Sequence, residues 1–329
     1  MSVSLYVKTL QYSYESIERK IKKLPIQPYR SLNNSSKKDV KVGVISLQYK
    51  KYKTINHLIK EIYDLLQKSV AEGAQMVVFP EYTGMLLLPI IGCKEVQIRR
   101  KAFDIGNTIE DVKKYSDVVA DIFCAMFSTF ASTFNIYIMA GSMLIYENEK
   151  IMNRAFLFDF IGGIAGEQDK ICISENERLN GVIAGSQLKI VNTQMGKIAI
   201  LIGEDQNYHE LFAYSVSQKA NLILAPSRTG ACFVGNDMAF RVNDSNIYAL
   251  KSVLNIDLFS LKKENISGIF APYQLTRNHD GRYKLSYKCC NECVVAPLDY
   301  SKLSETLDIY NTDSNLVFYQ NQYRSIYKQ

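Results

Sequence analysis

Alternation of apolar strands with amphipathic helices is the feature that most restricts the fold of this chain. The segment that starts at Val40 reads KVGVISL, a short apolar run typical of a buried strand. Apolar residues then recur at helical spacing from Ile55 to Val70, and the apolar run QMVVF follows. A strand, a helix and a second strand in this order predict a β-α-β unit.

The same alternation continues along the chain. Helical spacing predicts a long helix from about Val112 to Phe134, which leads into the strands IYIMAGSMLIY and MNRAFLFDF. The runs LKIVNT and KIAILI flank Gln194-Met195-Gly196 and predict a hairpin. Crossovers mixed with hairpins predict layered α/β packing. The remaining predicted elements are a helix at 208–218, the strand NLILAP, a helix at 243–253, the strand NIDLFS, and short strands near 267, at 282–287 and at 292–296.

The ends of the chain differ from this pattern. Helical spacing of Tyr14, Ile17, Ile21 and Leu24 predicts an N-terminal helix. The polar segment PIQPYRSLNNSSKKD follows, and its two prolines stop a helix. We therefore expect residues 1–40 to form a helix and linker, residues 41–300 to form the main domain, and residues 301–329 to form a polar, aromatic tail.

Composition and charge exclude several classes of protein. Hydrophobic residues make up 47% of the 329 residues and charged residues 22%, which is typical of a globular chain and excludes wholesale disorder. The net charge of +6 is spread along the chain, so nucleic-acid binding is not expected. No uninterrupted apolar run approaches the roughly 18 residues of a membrane helix, and no secretory signal is visible at the N-terminus. We expect a cytoplasmic protein with no membrane partner.

The seven cysteines do not resemble a disulfide framework, because their number is odd and most are far apart. Cys289, Cys290 and Cys293 contain one CxxC spacing without a second pair, which leaves two alternatives, a zinc site and buried thiols on a strand hairpin. Glycine-rich phosphate loops and HExxH spacing are absent from the sequence. No metal or organic cofactor is expected.

Charged residues stand where predicted strands end. Glu81 follows VVFP, Lys170 follows a strand and a glycine-rich turn, and Glu204 and Asp205 follow IAILIG. Ligands of α/β proteins commonly bind at the ends of strands. These residues are therefore candidates for one site.

The segments that carry these charges resemble the nitrilase, or carbon-nitrogen hydrolase, superfamily. Phe79-Pro80-Glu81-Tyr82 is similar to its glutamate motif, and the nucleophile segment is similar to residues 196–205. Asp169-Lys170 with Glu177-Arg178 resembles the lysine segment and second glutamate, and Asn153 the asparagine of the preceding strand. The resemblance runs in order from about Lys41 to Pro297. It implies a four-layer α-β-β-α sandwich that pairs into homodimers or larger assemblies.

The resemblance also implies roles for these residues. In the family a glutamate is the general base, a lysine stabilises the tetrahedral oxyanion, and a cysteine forms a covalent intermediate. Carried over, Glu81 is the base, Lys170 binds the oxyanion and Glu177 holds Lys170 or a substrate group. Asn153, Glu204, Asp205 and Cys232 are the implied substrate contacts. The family uses side chains alone, so the resemblance implies no cofactor.

Gly203 is the departure from the family pattern, because it stands where the resemblance places the cysteine. A hydrogen atom cannot attack a carbonyl, and loss of the nucleophile of a coupled catalytic set typically costs on the order of a millionfold in turnover. Glycine at a strand-to-helix turn also leaves backbone N–H groups open to an anion. The alternative is a replacement introduced into this particular chain.

Three functional hypotheses follow. The first is a protein of hydrolase ancestry that is inactive or strongly impaired and keeps a pocket for a small amide, carboxylate or nitrile. The second is an active enzyme for a non-peptide amide, N-carbamoyl compound or nitrile, acting through water activated by Glu81 or through another thiol such as Cys232. The third is an interaction subunit that docks through its N-terminal helix and its tail. Loop residues Arg99, Arg100, Arg228 and Asn236 suit a ligand with a hydrocarbon part and a carboxylate.

Overall fold

The computed structural model of the chain describes residues 12–28, 39–99, 102–231, 237–256, 266–286 and 291–305. The helices are α1 (Tyr14–Lys22), α2 (Ile55–Ala71), α3 (Ile109–Phe134), α4 (Glu175–Leu179), α5 (His209–Ser217) and α6 (Met238–Ser245). The strands are β1 (Asp39–Gln48), β2 (Met76–Val78), β3 (Gln97–Arg99), β4 (Ala102–Asp104), β5 (Tyr137–Glu147), β6 (Lys150–Phe158), β7 (Ile164–Asp169), β8 (Ile190–Thr193), β9 (Gly196–Ile200), β10 (Leu222–Arg228), β11 (Tyr248–Asn255), β12 (Gly268–Phe270), β13 (Arg282–Leu285) and β14 (Glu292–Asp299). Single 3₁₀ turns occur at Thr83–Leu87, Gly106–Thr108, Gly203–Asn207 and Tyr273–Leu275.

Two halves of one large sheet carry the fold. One half has the order β14-β1-β2-β5-β6-β7, with β1, β2 and β5 parallel, and the other has the order β13-β12-β11-β10-β9-β8, with β9, β10 and β11 parallel. The halves join where Leu47 and Gln48 of β1 pair in parallel with Leu254 and Asn255 of β11. The carboxyl ends of the parallel strands of both halves therefore converge at one place.

The core has three layers of contact. Alternate residues of the two sheet halves, such as Val44 and Val78 on one and Ile200 and Leu224 on the other, form a buried cluster between the halves. The opposite face of the first half packs on α1, α2 and α3, and that of the second half packs on α5 and α6. This arrangement confirms the predicted four-layer α-β-β-α sandwich.

The N-terminal helix is confirmed as α1. Ser13 caps it by accepting a hydrogen bond from the backbone N–H of Ser16, and Ile17 and Ile21 are fully buried in the cluster that includes α3. Helical spacing predicted this result because the two isoleucines lie on one face. The division of the chain into residues 1–40, 41–300 and 301–329 stays a prediction.

The stretch Gly106–Phe134, which contains α3, is the one described helix long and apolar enough to cross a membrane by length and composition. Its most apolar window has a mean hydropathy of 1.3, and 56% of that window is buried in the fold. Phe123, Phe127 and Phe130 of α3 lie in the core against the sheet. A core helix of a globular protein passes the same test, so this stretch is weak evidence for a membrane span.

The predicted helix at 243–253 is wrong. The helix α6 ends at Ser245, and Asn246 takes a left-handed conformation (φ 47°) that caps it. Tyr248–Asn255 then forms β11, which lies between β10 and β1 and is buried along its whole length. A strand buried on both faces is continuously apolar and lacks period-two alternation, so its sequence is easily mistaken for a buried helix. The predicted strand NIDLFS lies mostly outside the described residues.

Gly141 fixes the approach of β5 to the segment that carries Glu81. Its φ is +81°, and a Cβ there would lie 1.9 Å from the carbonyl oxygen of Pro80. We expect Gly141→Ala to lower the free energy of unfolding by at least about 2 kcal/mol, measured by urea denaturation, because a left-handed backbone and a backbone clash act together. Gly181→Ala is the matched control, since Gly181 has φ +77° but no atom within 4 Å of that position. Equal losses in both variants would contradict the role of the Pro80 contact.

Candidate active-site cluster

Three elements bring the predicted charged residues together. Glu81 follows β2, Lys170 follows β7, and Glu177 lies in α4. Lys170 Nζ is 2.7 Å from Glu81 Oε1 and 2.8 Å from Glu177 Oε2. All three side chains are at most 1% exposed. The ordered segments of the sequence therefore meet in one buried ion cluster.

Asn153 and Tyr82 hold the two carboxylates in place. Asn153 Nδ2 donates to Glu81 Oε1 at 3.0 Å and to Glu177 Oε1 at 2.9 Å. Tyr82 Oη donates to Glu177 Oε1 at 2.7 Å. Sequence analysis did not single out Tyr82, although it directly follows Glu81. Burial and these short hydrogen bonds give both residues a positioning role.

Glu177 serves its own helix and the cluster at once. The Ser174 side chain accepts from the backbone N–H of Glu177, and Glu177 Oε2 accepts from the backbone N–H of Ser174 at 2.7 Å. This is a capping box at the start of α4. The same oxygen accepts from Lys170 Nζ, so the cap fixes the carboxylate beside the lysine.

Asp205 connects the turn after β9 to the Lys170 segment. Its Oδ1 accepts from the backbone N–H groups of Ile171 and Cys172, and its Oδ2 accepts from that of Ile202. Burial raises the pKa of Asp205 to about 7, although these hydrogen bonds oppose the increase. The structure thus directs the predicted substrate contact Asp205 toward the backbone, where it holds two loops together.

Gly203 lies against the cluster in a left-handed conformation, with φ +52°. A Cβ at this position would lie 2.6 Å from Glu81 Oε2 and 2.8 Å from Glu81 Oε1. Contacts shorter than 3.0 Å are essentially never made by real Cβ atoms. The Glu81 carboxylate therefore fills the space that any side chain at 203 would enter.

Glu204 and Arg228 complete the cluster. Arg228 Nη2 donates to Glu204 Oε1 at 2.7 Å, and Glu204 Oε2 forms an ion pair with Lys170 Nζ. Arg228 is 6% exposed, and its guanidinium lies 5.8 Å from the centre of the Tyr82 ring. Sequence analysis treated Arg228 only as a loop residue. Its position at the end of β10, beside the strand of the Gly203 segment, was the available signal.

The cluster contains three carboxylates and two cations. Burial raises the pKa of Glu81, since Glu204 and Glu177 add to this effect and outweigh Lys170 and Arg228. Burial alone would also raise the pKa of Glu177, but the two cations and the Ser174 N–H hold it well below its usual range. The pKa of Lys170 is raised, because the three carboxylates outweigh its burial. Glu81 is therefore the acid that carries the surplus proton most readily.

Comparison with known proteins agrees with this geometry. Residues 41–245, more than half of the chain, match the family model of the carbon-nitrogen hydrolases. The chain belongs to this family. A curated relative from Bacillus subtilis (strain 168), named "Probable hydrolase YhcX", is 27% identical over 251 residues, which cover 74% of this chain and 46% of the relative. The chain thus spans less than half the length of that relative.

Solved structures of the nitrilase superfamily share the fold. Nit3 of Saccharomyces cerevisiae aligns with a TM-score of 0.60 at 16% identity, covering 84% of this chain and 96% of its own. An amidase from Nesterenkonia AN1 aligns with a TM-score of 0.63 at 14% identity, covering 88% and 98%. A carbon-nitrogen hydrolase from Helicobacter pylori G27 aligns with a TM-score of 0.63 at 17% identity, covering 88% and 99%. At these identities the likeness establishes the fold alone.

Several predicted residues of this carbon-nitrogen hydrolase chain lie outside the described residues, namely Cys232, Asn236, Arg100, Cys289 and Cys290, as does the side chain of Arg99. Cys293 is described, and its Sγ lies 2.7 Å from Ser69 Oγ. Within the described ranges, no group of three or more His, Cys, Asp or Glu could hold a metal ion. The choice between a zinc site and buried thiols at 289–293 therefore stays open.

Two surface clefts of this hydrolase fold lie away from the cluster. One, of about 520 Å³, lies between α1, α3 and the β6–β7 hairpin. The other, of about 540 Å³, is lined by residues 50–53 and by α2. Neither is lined by a residue of the ion cluster, whose side chains fill their own site.

The raised pKa of Glu81 gives a pH dependence of stability. A carboxyl group with a raised pKa in the folded state stabilises the fold at low pH, and this contribution is lost as the pH rises through its folded pKa. We expect the unfolding free energy of the natural protein, relative to Glu81→Gln, to fall as the pH rises above the ordinary value of 4.5. Urea denaturation across this range measures it.

A control variant, Glu95→Gln, alters an exposed ion pair with Lys51 and should show a small and nearly constant difference. A difference for Glu81→Gln that grows with pH would contradict the direction of the shift.

Proposed function

We propose that this protein has carbon-nitrogen hydrolase ancestry but does not perform covalent hydrolysis, and that its ion cluster binds a small-molecule ligand. The observation that carries the proposal is the geometry at Gly203. By motif this position corresponds to the nucleophile of the family, and its space is filled by the Glu81 carboxylate. The chain lacks a thiol at that point and lacks the room for one.

Covalent hydrolysis needs a nucleophile beside its base. In the Nesterenkonia amidase, the acetamide moiety of fluoroacetamide adds covalently to the active-site cysteine. Glycine offers no atom for this step. Without the nucleophile, only binding and oxyanion stabilisation remain.

Lys170 is also occupied. An ammonium group has three N–H donors, and Glu81, Glu177 and Glu204 each place a carboxylate oxygen on Nζ. Stabilisation of an oxyanion requires a donor that points at the developing charge. Lys170 provides one only if Glu204 moves away.

The alternative routes to hydrolysis find less support. A water molecule in place of the thiol would need the space beside Gly203 that the Glu81 carboxylate fills. Cys172 lies two residues after Lys170, but burial and Asp205 raise the pKa of its thiol to about 12, which disfavours the thiolate. The route through Cys232 stays a prediction, since this residue is outside the described part of the chain.

Ammonia release tests the proposal. The purified full chain is incubated with acetamide, propionamide, N-carbamoylglycine and propionitrile, beside Glu81→Gln as control. We expect no release above the rate of the variant, because the base has no nucleophile to activate. Release that disappears in Glu81→Gln would contradict the proposal and favour hydrolysis by another route.

The wider expectations keep the standing of predictions. These are a cytoplasmic location, a homodimer or larger assembly, and the absence of nucleic-acid and membrane partners. Docking through the N-terminal helix and the tail is also untested. Sedimentation of the full chain would measure the assembly size directly.

A further inference from the structure

We propose that the ligand of this site is a small organic acid, whose carboxylate binds Lys170 and Arg228 in exchange for the carboxylate of Glu204. This inference rests on the proposed function, because it names the ligand class of the same site. It assigns Glu204 the role of an internal occupant and Arg228 the role of the residue that selects an anion.

Glu204 is the member of the cluster that can leave. Its side chain is 11% exposed, whereas those of Glu81 and Glu177 are 0% and 1% exposed. It sits on a 3₁₀ turn beside Gly203 and bridges the two cations with its two oxygens. Glu177 is fixed by the helix cap and Glu81 by Asn153, so exchange at the other two carboxylates would break additional hydrogen bonds.

Polar atoms at the cluster lack partners. Among the residues that the structure describes, Arg228 Nε and Ser227 Oγ have no hydrogen-bond partner, although Arg228 is 6% and Ser227 1% exposed. Arg228 Nε is 3.5 Å from Glu81 Oε2 without a hydrogen bond between them. Buried donors without acceptors are rare, and a guanidinium matches a carboxylate with two parallel hydrogen bonds. Glu204 accepts one of these bonds, whereas a free carboxylate is able to accept both.

Charge balance favours an anion over a neutral amide or nitrile. With Glu204 turned to solvent, Lys170 and Arg228 face Glu177 and Glu81. Glu81 takes up a proton readily because the cluster is buried. One buried positive charge would then be left without a partner, which is costly. A ligand carboxylate supplies the missing negative charge, while an amide of the same shape does not.

Calorimetric titration of the full chain tests the exchange. The probes are acetate and propionate, with acetamide and propionamide as neutral counterparts of the same shape. We expect propionate to bind the natural protein and Glu204→Gln to bind it at least about tenfold more tightly, because the competing internal carboxylate is removed. Propionamide should show no such gain.

Two variants complete the design. Glu204→Gln with Arg228→Gln removes one charge of each sign and should lose propionate binding while retaining the fold, as checked by circular dichroism. Glu95→Gln, in an exposed ion pair, should bind propionate as the natural protein does. Equal tightening for propionamide, no tightening in Glu204→Gln, or undiminished binding in the double variant would each overturn the proposal.

Ammonia measured in the same propionamide samples separates the two proposals. Release of ammonia would contradict the loss of hydrolysis without affecting the carboxylate exchange. Failure of propionate to bind would overturn the exchange and leave the loss of hydrolysis standing.

Discussion

Replacing Lys170 by methionine is expected to lower the free energy of unfolding by about 3–5 kcal/mol, because it leaves buried carboxylates without their shared cation. Lys170 is fully buried and contacts Glu81, Glu177 and Glu204. Urea denaturation of the full chain measures the loss. A loss below about 1 kcal/mol would mean that the carboxylates are neutralised in another way.

Two comparisons identify the cause of this loss. Lys60→Met removes one partner of the exposed Lys60–Asp64 pair on α2, and the expected change is within about 0.5 kcal/mol. Adding Glu81→Gln to Lys170→Met removes one of the uncompensated carboxylates. We expect this double variant to be more stable than Lys170→Met alone, and lower stability would contradict the electrostatic explanation.

Introducing a thiol by Gly203→Cys is expected to give no ammonia release, which is the second large effect. The family mechanism would predict a gain on the order of a millionfold from a restored nucleophile. The structure predicts none, because the new Cβ would lie 2.6 Å from Glu81 Oε2 and Glu204 occupies Lys170. The assay uses the same amides, carbamoyl compound and nitrile as for the natural protein.

Stability and labelling support the interpretation of that result. Gly203→Cys should lose about 1–3 kcal/mol through its left-handed backbone, and more where Glu81 is displaced. Gly181→Cys, at φ +77° with open space, shows the backbone part alone. An acyl adduct on the introduced thiol, seen by mass spectrometry, would contradict the closed site.

The order of motifs along the chain was enough to predict much of the site. Glu81, Lys170 and Glu177 stand at strand ends or a helix cap, and such positions follow from local patterns of apolar and turn residues. The structure brings these three side chains within hydrogen-bond distance. Local sequence also sufficed for α1, for the β8–β9 hairpin and for the first β-α-β unit.

Where burial decides the structure, sequence patterns failed. β11 is apolar throughout because strands cover both its edges and side chains cover both its faces, so its sequence shows no alternation and was predicted as a helix. Asp205 was predicted to contact substrate from its place in the motif. Its hydrogen bonds to Ile171 and Cys172 depend on how two distant segments approach each other.

The sequence by itself determined the family, the layered α/β fold and the absence of a thiol at residue 203. Only the tertiary structure decided that the site is closed. Arg228 and Glu204 lie on neighbouring strands of one sheet half, Lys170 follows a strand of the other, and Glu81 turns into the space beside Gly203. Burial makes unpaired charges costly, so each charge takes the partner that packing brings within reach.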